Sequence, residues 1–419
     1  MKKIYVNGGK KLVGEIDVQG SKNSSLPILA ACVLVRGISC IHNCPDLSDV
    51  DAAIKILEHL GCIISRDKNT LYVDSRCISC YNIPHTLMRE MRSSIVFLGS
   101  ILSRKGRARL SLPGGCEIGL RPIDLHLSSL RCLGIEVDES FGDIRCEKTK
   151  TVKDAVISLS FPSVGATENI ILACVFNPGQ TTILNAAREP EINDLASFLN
   201  KCGCDVRIGS GGTVVIKGVQ SAHGCDEHTV MPDRIVALTY MSAVGAAGGN
   251  VLLKKVDPNT FLSVIPVFKE AGCKVLTGKD YVRIISEKRV NPVRDIRTMP
   301  YPGFPTDAQA PVMAMLCTAK GTSVIVENIF ESRFKHVGEL ARMGAKIKIE
   351  GKVAIVDGTD SLHCAKVSAT DLRGGSALIV AALAANGKTV ISGINHIERG
   401  YENICGCFRS IGAEIECRE

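Results

Sequence analysis

The sequence contains no tryptophan and only 7 Tyr and 11 Phe in 419 residues. It therefore lacks the aromatic platforms on which single-stranded nucleic-acid binders stack bases. It also lacks any run of five like charges, and its formal charge of +7 comes from 50 basic and 43 acidic residues scattered along the chain. A nucleic-acid face would concentrate its Lys and Arg; scattered cations suit small anions better. Long apolar runs are missing too. The longest, residues 28–35 and 377–385, fall far short of the ~18 needed to span a membrane. The start, Met1-Lys2-Lys3-Ile4, is too short and polar for a secretory leader, so the expectation is a cytoplasmic protein with reduced thiols. No GxGxxG follows a strand, and no GxxxxGK or HExxH occurs, which argues against dinucleotide, P-loop and zinc-protease roles.

What is present is an ordinary globular composition, 45% apolar and 22% charged, long enough for two domains. Cysteine is the unusual count at 19. Most of these thiols are expected to act as small apolar fillers. Cys77-Ile78-Ser79-Cys80 is an isolated CxxC, and His223, Cys225 and His228 cluster at metal-like spacing. Neither has a second half at finger-type spacing, so no metal is expected.

The chain repeats itself. A helix end, a Gly, a small or apolar residue and then a strand recur at Gly61, Gly134, Gly203, Gly272, Gly344 and Gly412. Out of phase with this, an apolar run, a Gly and a β-branched strand recur at Gly37, Gly106, Gly179, Gly248, Gly321 and Gly387. Glycine at a helix end tolerates a left-handed conformation. Each ~70-residue unit (a length within the usual range of a small domain) thus reads as βαββα, with an amphipathic helix such as 51–60 and paired strands such as 63–65 with 71–73. Six units imply an α/β (α+β) protein of two domains, three units each.

Polar residues gather where the first helix of each unit begins: Ser21-Lys22-Asn23-Ser24, Met91-Arg92-Ser93-Ser94, Ser163-Val164-Gly165, Pro232-Asp233-Arg234, Pro305-Thr306-Asp307 and Thr370-Asp371-Leu372-Arg373. Ser, Thr and Asp there serve as N-caps. Lys22, Arg92 and Arg373 do not, because a cation opposes the macrodipole unless an anion stands between them. These three positions point to an anionic ligand. The segment 112–124, LPGGCEIGLRPID, is too rich in Gly and Pro for a helix or central strand and reads as a loop. It sets Cys116 five residues from Arg121, which suits either an incidental thiol in a turn or a nucleophile and proton donor in an electropositive loop.

SKNSSLPILAA (21–31), MRSSI (91–95), SLPGGCEIGLRPIDLH (111–126), FPSVGATENI (161–170), NAAREPEI (185–192), PGFPTDAQA (302–310), TDLRGGSAL (370–378) and HIERGYE (396–402) together resemble the UDP-N-acetylglucosamine 1-carboxyvinyltransferases, an enolpyruvyl transferase family related to EPSP synthase. The resemblance implies two inverse α/β barrels joined by a double crossover, residues 22–229 forming one domain and 1–21 with 230–419 the other, with the active site in the cleft between them. It implies transfer of the enolpyruvyl group of phosphoenolpyruvate to the 3′-hydroxyl of UDP-N-acetylglucosamine with release of phosphate, the step that opens peptidoglycan synthesis. No cofactor, nucleic acid or membrane is implied, and a monomer is the simplest expectation.

Carried over motif by motif, the resemblance implies that Cys116 is the proton donor, the thiol that forms an adduct with phosphoenolpyruvate and the target of fosfomycin. Asp307 would take the hydroxyl proton, and Lys22, Arg121 and Arg399 would hold phosphoenolpyruvate, with Asn23 steering the intermediate. Arg92, Arg121, Pro122, Ile123, Asp124, Leu125, Ser163, Val164, Gly165 and Ile329 would line the nucleotide-sugar site. Arg333 and Arg373 match arginines around the cleft, and Asp49 a conformational carboxylate. The chain departs from the common pattern at Ser48, Phe161, Val236, Tyr301, Ser332 and Lys335. Two alternatives remain at this point: transfer to shikimate 3-phosphate, and a non-catalytic nucleotide-sugar-binding paralogue.

Overall fold

Six times along the chain, an amphipathic helix ends and a glycine with φ between +76° and +105° turns the backbone into a strand: Gly61, Gly134, Gly203, Gly272, Gly344 and Gly412. The helices are Ser48–Leu60, Asp124–Cys132, Pro190–Lys201, Ile265–Glu270, Val337–Arg342 and Ile404–Ser410. A side chain at those φ values would be strained, which is why the repeat is visible as a glycine series. The computed structural model describes residues 2–111, 123–287 and 289–418.

Among the described residues the strands form six four-stranded sheets of one design. In each, one edge strand runs parallel to its neighbour and the remaining pairings are antiparallel. In the first, His228–Thr229 lies parallel to Ile38–His42, which pairs antiparallel with Thr70–Asp74, which pairs with Ile63–Asp67. Three sheets lie in a compact unit of residues 20–111 and 123–231, and three in a second unit of residues 2–19 and 232–418. The ends of the chain complete sheets begun far away in sequence. Lys3–Asn7 inserts between Lys388–Ser392 and Glu414–Arg418, and Leu12–Asp17 lies parallel to Gly249–Lys254.

Each unit has its own apolar core. In the second unit the helices Arg234–Ala247, Thr306–Leu316 and Leu372–Ala384 pack on one another and are buried on all sides over residues 234–245, 308–316 and 373–383. A helix apolar all round must be central, and each fully buried aliphatic side chain contributes ~1.5–3 kcal/mol. In the first unit the corresponding helices are Lys22–Ala31, Phe97–Lys105 and Val164–Cys174. The last two approach so closely that a Cβ on Gly99 would stand 2.2 Å from the Asn169 carbonyl oxygen. The MRSSI phrase, expected to open its helix directly, instead forms a 3-10 turn, Arg92–Val96, before the α-helix begins. Glycine caps and apolar periodicity thus set out both kinds of helix, and the helix starts carry the polar residues.

Candidate functional site

In the unit of residues 20–231, Ser21 caps the helix Lys22–Ala31, its Oγ accepting from Ser24 N at 3.3 Å. Lys22 Nζ meets Asp49 Oδ2 at 3.1 Å; the Lys22 side chain is 13% exposed and that of Asp49 3%. The anion expected in front of this cation includes a carboxylate of the chain itself. Pro27 follows Asn23 by four residues inside the helix and offers no N–H to its carbonyl. The same helix is tied down by Asp194, which accepts from Ser24 Oγ, from Met231 N at 3.0 Å and pairs with His228 Nε2 at 3.0 Å.

Ser163, Val164 and Gly165 form the start of the helix Val164–Cys174, with Ser163 Oγ accepting from Ala166 N at 3.4 Å. Ile123, Asp124 and Leu125 start the helix Asp124–Cys132, whose third residue, His126, is buried. Asn169 Oδ1 accepts from Gly99 N at 2.6 Å, so its amide nitrogen faces Ile95 O and His126 Nδ1, both at 2.8 Å. Nδ1 is therefore an acceptor, and the neutral imidazole carries its proton on Nε2. Burial holds the ring neutral, with its pKa lowered to about 4 against an opposing pull from Asp124. The ring fills the space beside Gly165, where a Cβ would lie 3.2 Å from Cε1. Nearby, burial and then the Glu191 and Glu189 carboxylates push Glu168 well above the ordinary carboxylate range.

The other unit brings together three sequence-predicted residues: Asp307 and Arg373 at the starts of core helices, and Arg333 in the turn before the helix Val337–Arg342. Asp307 Oδ1 accepts from Arg333 Nη2 at 2.6 Å, and Asp307 Oδ2 from Arg373 Nη2 at 2.9 Å. Both arginine side chains are 3% exposed, whereas that of Asp307 is 26% exposed. Burial opposes the charge of Arg373, but Asp307, Tyr401 and Asp233 more than offset it and hold its pKa above the ordinary arginine value. Asp371 caps the helix by accepting from Arg373 N and Gly374 N, both at 3.0 Å. Arg373 Nη1 donates to Tyr401 OH at 3.2 Å, Tyr401 bonds Thr239 Oγ1 at 2.8 Å, and Thr239 donates to Ile235 O at 3.0 Å. Only one proton order satisfies this chain: Arg373 to Tyr401 to Thr239 to Ile235. Pro311 stands four residues beyond Asp307 and withholds its N–H from that carbonyl, as Pro27 does for Asn23.

Ile329 is half-buried in the turn after the strand Thr322–Val326, and Arg399 is half-buried at the end of the short helix Ile394–Glu398. Cys116, Arg121 and Pro122, and the side chain of Arg92, lie outside the described residues. Sequence reasoning did not single out Tyr401, Thr239, Asp194 or Glu327, and it weighed His228 only within a metal-like cluster. Tyr401 lies inside the HIERGYE phrase, which was a usable signal; the others have none, because contacts such as Thr239 with Tyr401, Asp194 with Ser24 and Glu327 with Thr298 join residues remote in sequence. Of the departing positions, Val236 is buried and donates its N–H to Asp233, while Tyr301 lies beneath the Arg234 guanidinium at 5.6 Å. His223 Nδ1 bonds the Gly224 carbonyl at 2.8 Å, and no group of three His, Cys, Asp or Glu is arranged to hold a metal among the described residues. Among them, too, no helix is long and apolar enough to cross a membrane.

Comparison with known proteins adds a second line. Residues 6–407 match the family model for EPSP synthase (3-phosphoshikimate 1-carboxyvinyltransferase). The UDP-N-acetylglucosamine 1-carboxyvinyltransferase 2 of Caldanaerobacter subterraneus subsp. tengcongensis is 50% identical over 415 residues, covering 99% of each chain. The UDP-N-acetylglucosamine 1-carboxyvinyltransferase of Acinetobacter baylyi is 43% identical over 417 residues, again 99% of each. Among solved structures, the enolpyruvyl transferase NikO from Streptomyces tendae superposes with a TM-score of 0.89 at 24% identity, covering 99% of this chain and 98% of that one. EPSP synthase from Acinetobacter baumannii gives 0.76 at 17% identity over the whole of both. At such identities the structures speak for the fold alone, two inverted α/β domains. With a family model spanning nearly the whole sequence and full-length relatives at 43–50% identity, the chain belongs to the EPSP synthase family of enolpyruvyl transferases.

Proposed function

We propose that this chain transfers the enolpyruvyl group of phosphoenolpyruvate to the 3′-hydroxyl of UDP-N-acetylglucosamine and releases phosphate. Full-length relatives at 43–50% identity carry the name of that activity. The structural observation that carries the reading is Asp307: a partly exposed carboxylate whose two oxygens are each fixed by a buried guanidinium. Its side chain is 26% exposed, so a substrate hydroxyl can reach it while the arginines hold it in place. The arginines orient it without removing it from reach.

The chemistry is addition followed by elimination. Cys116 gives a proton to C3 of the enol, the sugar oxygen bonds to C2, and Asp307 takes the hydroxyl proton. The tetrahedral ketal then loses a C3 proton and phosphate, restoring the double bond. Lys22, Arg121 and Arg399 balance the phosphate and carboxylate charges, which is where preorganised cations contribute most. Asn23 steers the intermediate. Arg92, Arg121, Pro122, Ile123, Asp124, Leu125, Ser163, Val164, Gly165 and Ile329 hold the nucleotide sugar, with Arg333 and Arg373 behind Asp307 and Asp49 behind Lys22. The protein is proposed to act as a cytoplasmic monomer, with 22–229 as one functional domain and 1–21 with 230–419 as the other.

Phosphate release tests this directly. Turnover is expected with phosphoenolpyruvate and UDP-N-acetylglucosamine, none with shikimate 3-phosphate, and none above background in Cys116→Ala. Cys116→Asp is expected to keep turnover and lose fosfomycin sensitivity. A purified wild type that binds UDP-N-acetylglucosamine but releases no phosphate overturns the reading in favour of a non-catalytic binding protein.

A further inference from the structure

Glu327 follows the strand Thr322–Val326 and is 1% exposed. Neutral donors surround its carboxylate. Oε1 accepts from Thr298 Oγ1 at 2.9 Å, Ile329 N at 2.8 Å and Phe330 N at 3.1 Å; Oε2 accepts from Thr306 Oγ1 at 3.0 Å. Thr298 is itself pinned, its Oγ1 accepting from Asn328 N at 2.8 Å and its carbonyl from Asn328 Nδ2 at 3.2 Å. A buried carboxylate is costly unless its lone pairs are met, and here four donors meet them. The two ends of this one group grip different things. Oε1 closes the 327–330 turn that carries Ile329, and Oε2 holds Thr306, the residue just before Asp307 and the first of its helix.

We infer that Glu327 is a positioning residue for enolpyruvyl transfer, its Oε1 setting the turn that presents Ile329 to the nucleotide sugar and its Oε2 setting the aim of Asp307. The inference rests on the function proposed above. It assigns separable consequences to the two oxygens. Cutting the Oε2 bond disturbs the proton acceptor and leaves the sugar-binding turn closed; removing the whole carboxylate disturbs both. A glutamine keeps the shape. Its carbonyl can serve the two backbone N–H groups, which cannot reverse, while its NH₂ donates to the Thr306 hydroxyl, which can.

The test is steady-state kinetics with calorimetric binding of UDP-N-acetylglucosamine on the full-length chain. Thr306→Val is expected to lower kcat about 10-fold, the size of one charge-assisted hydrogen bond, with the KM and Kd for the nucleotide sugar within about 2-fold. Thr306→Ser restores kcat. Glu327→Ala lowers kcat and also weakens nucleotide-sugar binding about 10-fold or more, and Glu327→Gln recovers most of both. Melting curves establish that each variant is folded; if Glu327→Ala is not, Glu327→Gln and the Thr306 pair carry the test. A folded Glu327→Ala that binds the nucleotide sugar as wild type does, or a Thr306→Val that changes KM instead of kcat, overturns the inference while the proposed activity stands. A wild type that binds the nucleotide sugar without turnover overturns the proposed activity, and with it the assignment to Oε2.

Discussion

The two units each set a carboxylate against cations at the start of a core helix, but they expose opposite ends of the pair. In the unit of residues 20–231 the hidden member is the anion: the Asp49 side chain is 3% exposed and that of Lys22 13%. In the unit of residues 2–19 and 232–418 the hidden members are the cations, Arg333 and Arg373 at 3%, and the carboxylate of Asp307 is the accessible group at 26%. Ion pairs of similar composition are thus built for different chemistry. Under the proposed function, the buried Asp49 orients an ammonium toward an anionic ligand, and the two buried arginines orient a carboxylate toward a proton donor.

The comparison breaks most visibly if the accessible carboxylate is dispensable. Asp307→Ala removes the proposed proton acceptor, so kcat is expected to fall about 10²–10⁴-fold, the usual contribution of a positioned acid or base. It also leaves two buried guanidiniums without their shared anion, which costs up to ~3 kcal/mol of stability at this partly exposed site. Phosphate release and urea melts read the two losses separately. Wild-type turnover in a folded Asp307→Ala would assign the clamp to stability alone.

How far this was legible beforehand differs by level. The glycine series marked all six helix ends because each sits at a φ that side chains resist. The fold class followed from counting it. The fourth strand of most sheets did not follow, since elements such as Asn82–Ile83, Ile296–Arg297 and His228–Thr229 are two residues long and show no periodicity. Nor did the insertion of Lys3–Asn7 beside Lys388–Ser392, because local pattern carries no record of a partner that remote. At the site, the sequence flagged Lys22 and Arg373 as cations out of place at helix starts. It could not say that Asp49 and Asp307 would stand against them, for each carboxylate lies on a different helix from its cation. Arg373 is accordingly an internal partner of Asp307, nearly closed to solvent, and its proposed contact with substrate runs through that carboxylate.

In each unit burial holds a histidine neutral, His126 in the first and His336 in the second. Burial lowers both to about 4, opposed by Asp124 at His126 and by Asp371 at His336, where Arg333 adds to the lowering. An unfolded histidine titrates near ~6.5. Between that value and about 4 the unfolded chain therefore binds a proton that the folded one refuses, and stability falls as pH drops through the window. The full loss is ~3 kcal/mol per histidine. The two should differ on replacement. Among the described residues the ring of His336 makes no side-chain hydrogen bond and has only the Arg333 backbone as a hydrogen-bonding neighbour, so His336→Leu is expected to cost little at pH 7 and to stabilise at pH 5. His126→Leu strands a bond from the Asn169 amide and should cost ~1–3 kcal/mol at pH 7. Urea midpoints at the two pH values decide it.

For the cation of the first unit, Lys22→Gln is expected to raise the KM for phosphoenolpyruvate about 10–100-fold, the loss of one charge-assisted contact, with binding of the nucleotide sugar unchanged. Weakening of both substrates alike would mean that Lys22 and Asp49 hold the helix Lys22–Ala31 in place instead of presenting a charge.

The smallest expected effect is also the most local. Tyr401→Phe deletes the hydroxyl that takes a bond from Arg373 Nη1 and gives one to Thr239. Thr239 keeps its bond to Ile235 O, and Arg373 keeps Asp307, so no group is left wholly unpaired. The cost is then that of a single net hydrogen bond, ~1 kcal/mol in a urea melt. Because Arg373 would still be held by Asp307 but no longer from behind, turnover should fall while the KM values stay put. An unchanged kcat would show that the Asp307 pairing alone fixes the guanidinium, and that Arg333 and Arg373 need no further support to hold their carboxylate forward.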